Sequence, residues 1–169
     1  MPSGDTRIRH ASSGDLGPLT ALYNHYVENT AITFDLEPLT EEARGVWLDQ
    51  FEPAGRYQLF VAESGGAIAG YACSQRFRVK RAYETSVETS IYLAPGEQGK
   101  GLGSSLYRTL FESIGNADLH RAYAGVTHPN EASIAFHKKF GFRSIGVYKE
   151  VGRKMGRYWD VEWFEKIMS

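Results

Sequence analysis

The chain of 169 residues carries 19 lysines and arginines against 20 aspartates and glutamates, a net charge of −1 at pH 7, with 42% hydrophobic and 13% aromatic residues. That length reads as one domain, residues 1–169, with a core large enough to fold without a metal or disulfide. The charge balance excludes a nucleic-acid coat or an anionic membrane as general partner, the single cysteine, Cys73, excludes an intrachain disulfide or cysteine zinc site, and no apolar run suits a signal core or membrane span. The expected location is the cytoplasm.

Thr6-Arg7-Ile8-Arg9-His10-Ala11 alternates as a short strand does, and Ser13-Gly14-Asp15 offers cap chemistry for a helix through Leu19, Leu22, Tyr23 and Tyr26. Thr40-Glu41-Glu42 opens a second helix running to about Phe51, closed by Pro53-Ala54-Gly55. Gln58–Glu63 and Ala67–Gln75 read as strands joined through Ser64-Gly65-Gly66, a hairpin signal. Ser86–Leu93 is a further strand. Leu102, Leu106, Leu110 and Ile114 then recur at helical spacing, beside Tyr107 and Phe111. Arg121–Thr127 is a strand, Asn130–Phe140 a helix, and Ser144–Ile167 two more aromatic-rich strands. The order β-α-α-β-β-β-α-β-α-β-β packs most economically as an α/β (α+β) domain, a mixed sheet with helices on both faces.

The most informative stretch runs from Ile91-Tyr92-Leu93 through Gln98-Gly99-Lys100-Gly101-Leu102-Gly103-Ser104: strand, turn, helix entrance. Such a turn exposes consecutive backbone N–H groups where the helix dipole is positive, and glycine lets a pyrophosphate come close. A Walker loop fails here because Gly101, not Ser or Thr, follows Gly99-Lys100. A Rossmann fingerprint fails on spacing and on its place late in the chain. A plain turn with a helix cap remains open on glycine alone.

Gln98-x-x-Gly101-x-Gly103 behind an apolar strand, followed by Asn130-x-x-Ser133 and Phe140-Gly141-Phe142, resembles the GNAT superfamily of N-acetyltransferases. Within it, Tyr23-Asn24-His25-Tyr26-Val27, Phe34-x-x-Glu37-Pro38-x-Thr40, Phe77-Arg78 with Ala82-Tyr83, Val87-Glu88-x-Ser90-Ile91-Tyr92-Leu93 and Gly156-Arg157-Tyr158-Trp159-Asp160-Val161 resemble the phosphinothricin and methionine sulfoximine N-acetyltransferases. The resemblance covers nearly the whole chain. It implies a mostly antiparallel sheet of about seven strands, acetyl-CoA as cosubstrate, direct transfer to the α-amino group of a small amino acid, and a homodimer.

Acetyl transfer from a thioester needs a base for the ammonium, a donor for the oxyanion and a proton for the departing thiolate. Glu88 stands in an otherwise apolar strand, where desolvation raises a carboxylate toward useful basicity; a solvent-facing strand residue is the plain alternative. By resemblance Glu88 is the general base. His137 falls where the family shows a histidine and many relatives a tyrosine that protonates the thiolate; its plain alternative is a packed helix residue. The resemblance puts Ile91, Tyr92 and Leu93 against pantetheine amides, Gln98, Gly99, Lys100, Gly101, Leu102, Gly103 and Ser104 around the pyrophosphate, and Asn130 and Ser133 beside the pantetheine arm. Asn130 equally suits a helix cap.

Arg76-Phe77-Arg78-Val79-Lys80-Arg81 is the one basic cluster, read as a solvated loop or, far less readily, a nucleic-acid patch. By resemblance Arg78, Lys80 and Tyr83 grip the acceptor's carboxylate, and Phe34 packs on its side chain. A polyamine, an antibiotic amine or a protein N-terminus are alternative acceptors, and a non-catalytic acyl-CoA-binding module is the alternative outside enzymes. The remaining histidines show no metal-ligand spacing, so no metal is expected. Cys73 reads as a small core residue, and the tail aromatics as core or as a subunit face.

Overall fold

A computed structural model of the protein describes residues 5–168. In chain order the elements are β1 (Thr6–His10), α1 (Leu16–Asn29), α2 (Glu41–Leu48), β2 (Leu59–Ser64), β3 (Ala67–Arg76), β4 (Ser86–Leu93), α3 (Leu102–Ile114), β5 (Arg121–Thr127), α4 (Glu131–Lys139), β6 (Arg143–Lys154) and β7 (Arg157–Ile167). This is the expected succession. Helix α2 stops short of Phe51, because the Gln50 and Phe51 amides reach back only three residues, to Trp47 and Leu48, as a tightened last turn does.

All seven strands join one sheet in the order β1-β2-β3-β4-β5-β7-β6, antiparallel at every junction except β4–β5. The β2–β3 hairpin turns on Gly65 and Gly66, with φ of 57° and 79°, the primed-turn geometry that glycine accepts without strain. One face of the sheet receives α3 and α4. Leu102, Leu106, Leu110 and Ile114 form the buried stripe of α3, packed with Phe60, Val87, Ala122 and Phe164. The other face receives α1 and α2 through Leu19, Leu22, Tyr26 and Trp47 against Leu59, Val61, Tyr71 and Cys73. Cys73 is a core residue there, its thiol pushed up to about 12 by burial.

The parallel junction positions the site. β4 and β5 pair only from Ser86 to Glu88, against Arg121 to Tyr123. Beyond Glu88, β4 stays with β3 as far as Leu93, while β5 continues with β7. The two strands part there, and residues 89–93 of β4 face an open wedge without β5 ladder bonds.

Candidate active site

Two connected hollows fill the wedge, sharing Ile32, Ile91, Tyr92, Asn130 and Ser133 as lining. The outer one, about 360 Å³, is bounded by Leu93, Gln98, Gly99, Gly101, Leu102, Gly103, Ser104 and Phe136. Gly99 and Gly101 take φ of 77° and 80°, and nothing lies within 4 Å of where their Cβ atoms would be. Gly101 is the N-cap of α3 and brings no capping side chain, so the first amides of the helix are left for a ligand. An unobstructed helix N-terminus of this kind suits an anion. Gln98 shapes the turn: its Oε1 accepts from the Gly96 amide at 3.1 Å and its Nε2 donates to the Tyr26 hydroxyl at 3.3 Å. Lys100 pairs with Glu97 at 3.4 Å, outside the lining. Asn130 does two things at once, lining both hollows while its side chain caps α4 by accepting from the Ser133 amide at 3.2 Å.

The inner hollow, about 250 Å³, contains Glu88, Thr89, Tyr107 and His137, with Ile32, Thr33 and Phe34 at its rim and Gly125, Val161 and Trp163 opposite. Glu88 is the last β4 residue paired to β5 and is half-buried. Burial raises its carboxyl above the usual carboxylate range, and the positive charge of Arg78 pulls it partly back. His137 is buried, and burial pushes its imidazole down, opposed by the Ser133 carbonyl. That carbonyl, 2.8 Å from Nδ1, can only accept, so Nδ1 carries the proton. In the neutral ring Nε2 then accepts from the Tyr107 hydroxyl at 3.0 Å, and Thr89 Oγ1 lies 3.3 Å from the same hydroxyl. Both nitrogens of His137 are therefore engaged, and Tyr107 stands between the imidazole and Thr89.

A half-buried acid in a cleft, beside an open helix N-terminus and a strand edge without ladder partners, is an arrangement suited to acyl transfer from a phosphorylated carrier. A family model described as acetyltransferase (GNAT) domain matches residues 8–163. The chain belongs to the GNAT acetyltransferases. This acetyltransferase is 53% identical over 169 residues to a phosphinothricin N-acetyltransferase of Streptomyces coelicolor, covering 98% of this chain and 99% of that one. It is 32% identical over 158 residues to an L-methionine sulfoximine/L-methionine sulfone acetyltransferase of Salmonella typhimurium, covering 94% and 92%. Among solved structures, a phosphinothricin acetyltransferase of Sinorhizobium meliloti in complex with acetyl-CoA superposes with a TM-score of 0.90 at 31% identity, covering 96% of this chain and 88% of that one.

In the acetyltransferase the basic loop does not continue β3 as an extended segment. The strand ends at Arg76, and the Arg78 guanidinium stacks over the Phe77 ring at 4.2 Å. Arg78 lines a neighbouring hollow of about 240 Å³ with Phe77, Tyr123, Ile145, Tyr148 and Trp163, and Trp163 is the wall common to it and the inner hollow. Lys80 and Tyr83 are exposed and line neither. The tail aromatics divide: Phe164 is core, Trp163 is cleft wall, Tyr148 and Tyr158 face outward. Gly125 lets the Trp163 ring lie flat on β5, since a Cβ there would sit 3.2 Å from it.

Sequence reasoning passed over Tyr107, Thr89 and the rim residues Ile32 and Thr33. Tyr107 sits within the leucine stripe of α3 and reads as core; its hydroxyl was the one signal, since a buried tyrosine needs a partner. Among the described residues no three His, Cys, Asp or Glu side chains gather to hold a metal ion, and no helix is long and apolar enough to cross a membrane.

Proposed function

We propose that this acetyltransferase moves acetyl from acetyl-CoA directly onto the α-amino group of a small amino acid with a polar, tetrahedral side-chain end, such as phosphinothricin, methionine sulfoximine or methionine sulfone. The observation that carries this reading is the half-buried Glu88 at the apex of the wedge, beside the glycine cradle. The α3 amides with Gly99, Gly101 and Gly103 hold the pyrophosphate, the open edge of β4 from Thr89 to Leu93 pairs with pantetheine amides, and Asn130 and Ser133 flank the arm. Glu88, directly or through one water, takes a proton from the acceptor ammonium. The amine then attacks the thioester carbon, a backbone N–H of β4 stabilises the oxyanion, and the C–S bond breaks as the C–N bond is completed. His137 assists protonation of the thiolate by holding the Tyr107 hydroxyl through Nε2, and that hydroxyl relays the second proton of the attacking nitrogen to the departing sulfur. Arg78 supplies positive charge for the acceptor carboxylate, with Lys80 and Tyr83 on the same loop, and Phe34 packs on the acceptor side chain.

The enzyme acts as one domain in the cytoplasm and as a homodimer. In support of the dimer, β6 is an outer strand whose Ile145, Tyr148 and Val151 are all about half exposed or more. Glu88→Gln tests the chemistry. It is expected to lower kcat by about 100-fold or more while acetyl-CoA affinity, read by calorimetry, stays within about twofold. Equal loss of both would make Glu88 a structural residue.

A further inference from the structure

The rim of the inner hollow is formed by the segment 30–40 between α1 and α2, and that segment is held from two sides. On the α1 side, the Tyr23 hydroxyl meets Thr33 Oγ1 at 2.7 Å and donates to Asp35, while the Asn24 side chain exchanges two hydrogen bonds of 2.8 Å with the Leu39 backbone. On the other side it rests against the far end of β6. There Lys154, buried although charged, donates from Nζ to the Thr33 carbonyl at 2.8 Å. Gly152 lies directly under the Phe34 ring: a Cβ at 152 would be 2.6 Å from Cδ2 and 2.8 Å from Cζ.

The end of β6 is itself fixed. Its ladder with β7 breaks register between Tyr148 and Gly152, and the Glu150 amide donates to Asp160 Oδ1 at 2.7 Å across the irregularity. Gly152 then pairs with Trp159, whose Nε1 donates to the Lys154 carbonyl at 2.9 Å. The φ of Gly152 is not in the left-handed region, so nothing in its backbone requires glycine. What requires it is the ring of Phe34.

We propose that Gly152 and Lys154 determine the size of the acceptor chamber, by holding the Phe34 ring and the Thr33 backbone away from Glu88. This rests on the reading of the inner hollow as the acceptor chamber. A methyl group at 152 displaces the ring, and the side left to it is the cleft that it lines. Loss of the Lys154 ammonium frees the Thr33 carbonyl and slackens the same rim. Neither residue lines the outer hollow where acetyl-CoA is assigned, and the Phe34 and Thr33 they hold line only the inner one, so the effect is expected to fall on the acceptor.

Steady-state thiol release with L-methionine sulfone as acceptor tests this. Gly152→Ala is expected to raise the acceptor KM about tenfold and to leave the acetyl-CoA KM within about twofold. In a Phe34→Leu background, where the ring is gone, the same substitution is expected to change the acceptor KM by less than about twofold. Lys154→Met is expected to raise the acceptor KM with the acetyl-CoA KM again unmoved, which keeps the test open if Gly152→Ala does not fold. An unchanged acceptor KM in folded Gly152→Ala would overturn the proposal, as would an equal effect with and without the ring. Phe34→Leu alone separates the two claims. If it leaves acceptor kinetics untouched, the chamber assignment falls and the proposal with it; if it alters them while Gly152→Ala does not, only the proposal falls.

Discussion

Tyr107→Phe removes one oxygen atom from the interior and little else. The Tyr107 side chain is fully buried, and its hydroxyl lies 3.0 Å from His137 Nε2 and 3.3 Å from Thr89 Oγ1. Phenylalanine keeps the ring contacts with Phe111, Phe136 and Phe140, so the loss falls on the polar pair. It leaves Nε2 of a histidine that is only 4% exposed without a donor. A buried group stripped of its partner costs about 1–3 kcal/mol. For a domain of this size that becomes a fall in Tm of about 2–12 °C. Thermal unfolding by circular dichroism reads it, and a double-mutant cycle with His137→Leu apportions it. Replacing both partners by apolar groups relieves the stranded nitrogen, so the double variant is expected to be at least about 1 kcal/mol more stable than the sum of the singles. Additive losses, or a Tyr107→Phe variant within about 0.5 kcal/mol of the parent, would refute the hydrogen-bonded pair.

The same histidine gives a pH signature. Its imidazole is depressed by burial, so the unfolded chain binds the proton first, and its contribution to stability is present above the ordinary histidine value of about 6.5 and lost as pH falls below it. Tm measured across that range should drop more steeply for the parent than for His137→Leu; because His10 is depressed too, parallel curves would assign the drop elsewhere. Glu88 works in the opposite sense: its carboxyl is raised, so folding is penalised as pH rises through the interval between the unfolded and folded values. Glu88→Gln should therefore raise Tm at pH 7 while lowering kcat, and a lower Tm would mean that the carboxylate stabilises the fold. Gly101→Val has open space but a φ of 80°, a strain of about 1–2 kcal/mol for a residue with a Cβ. Acetyl-CoA should then raise the Tm of the variant less than that of the parent, and an undiminished shift would remove Gly101 from the cradle.

The fold was legible in the sequence because each element carried a local signal that burial then reinforced. The α3 stripe at Leu102, Leu106, Leu110 and Ile114 is the buried face of that helix, and the Gly65-Gly66 turn closes the hairpin that its chemistry specifies. The turn between β6 and β7 was not legible in the same way, since Met155 takes a φ of 53° beside Gly156 at 74° where asparagine or glycine would have announced it. Of the candidate site, the glycine turn and Glu88 stood out because the signal for each lies in its neighbours in sequence, and both line the hollows. The basic run Arg76–Arg81 carries no local sign of where each side chain goes, and it is the bend after Arg76 that turns Arg78 onto Phe77 and leaves Lys80 and Tyr83 in solvent. Tyr107 with His137, and Gly152 with Phe34, are 30 and 118 residues apart; no local pattern announces a contact made by the packing of α3 on α4 or of β6 on a loop.

The central reaction is acetyl transfer from acetyl-CoA to the α-amino group of an amino acid with a tetrahedral polar end. Thiol release from acetyl-CoA tests it, with L-methionine sulfoximine, L-methionine sulfone, phosphinothricin, spermidine and a short peptide compared against a blank without acceptor. Turnover is expected to be confined to the three amino acids. Turnover with spermidine or the peptide in their place would contradict it, as would acetyl-CoA raising Tm with no thiol released from any acceptor.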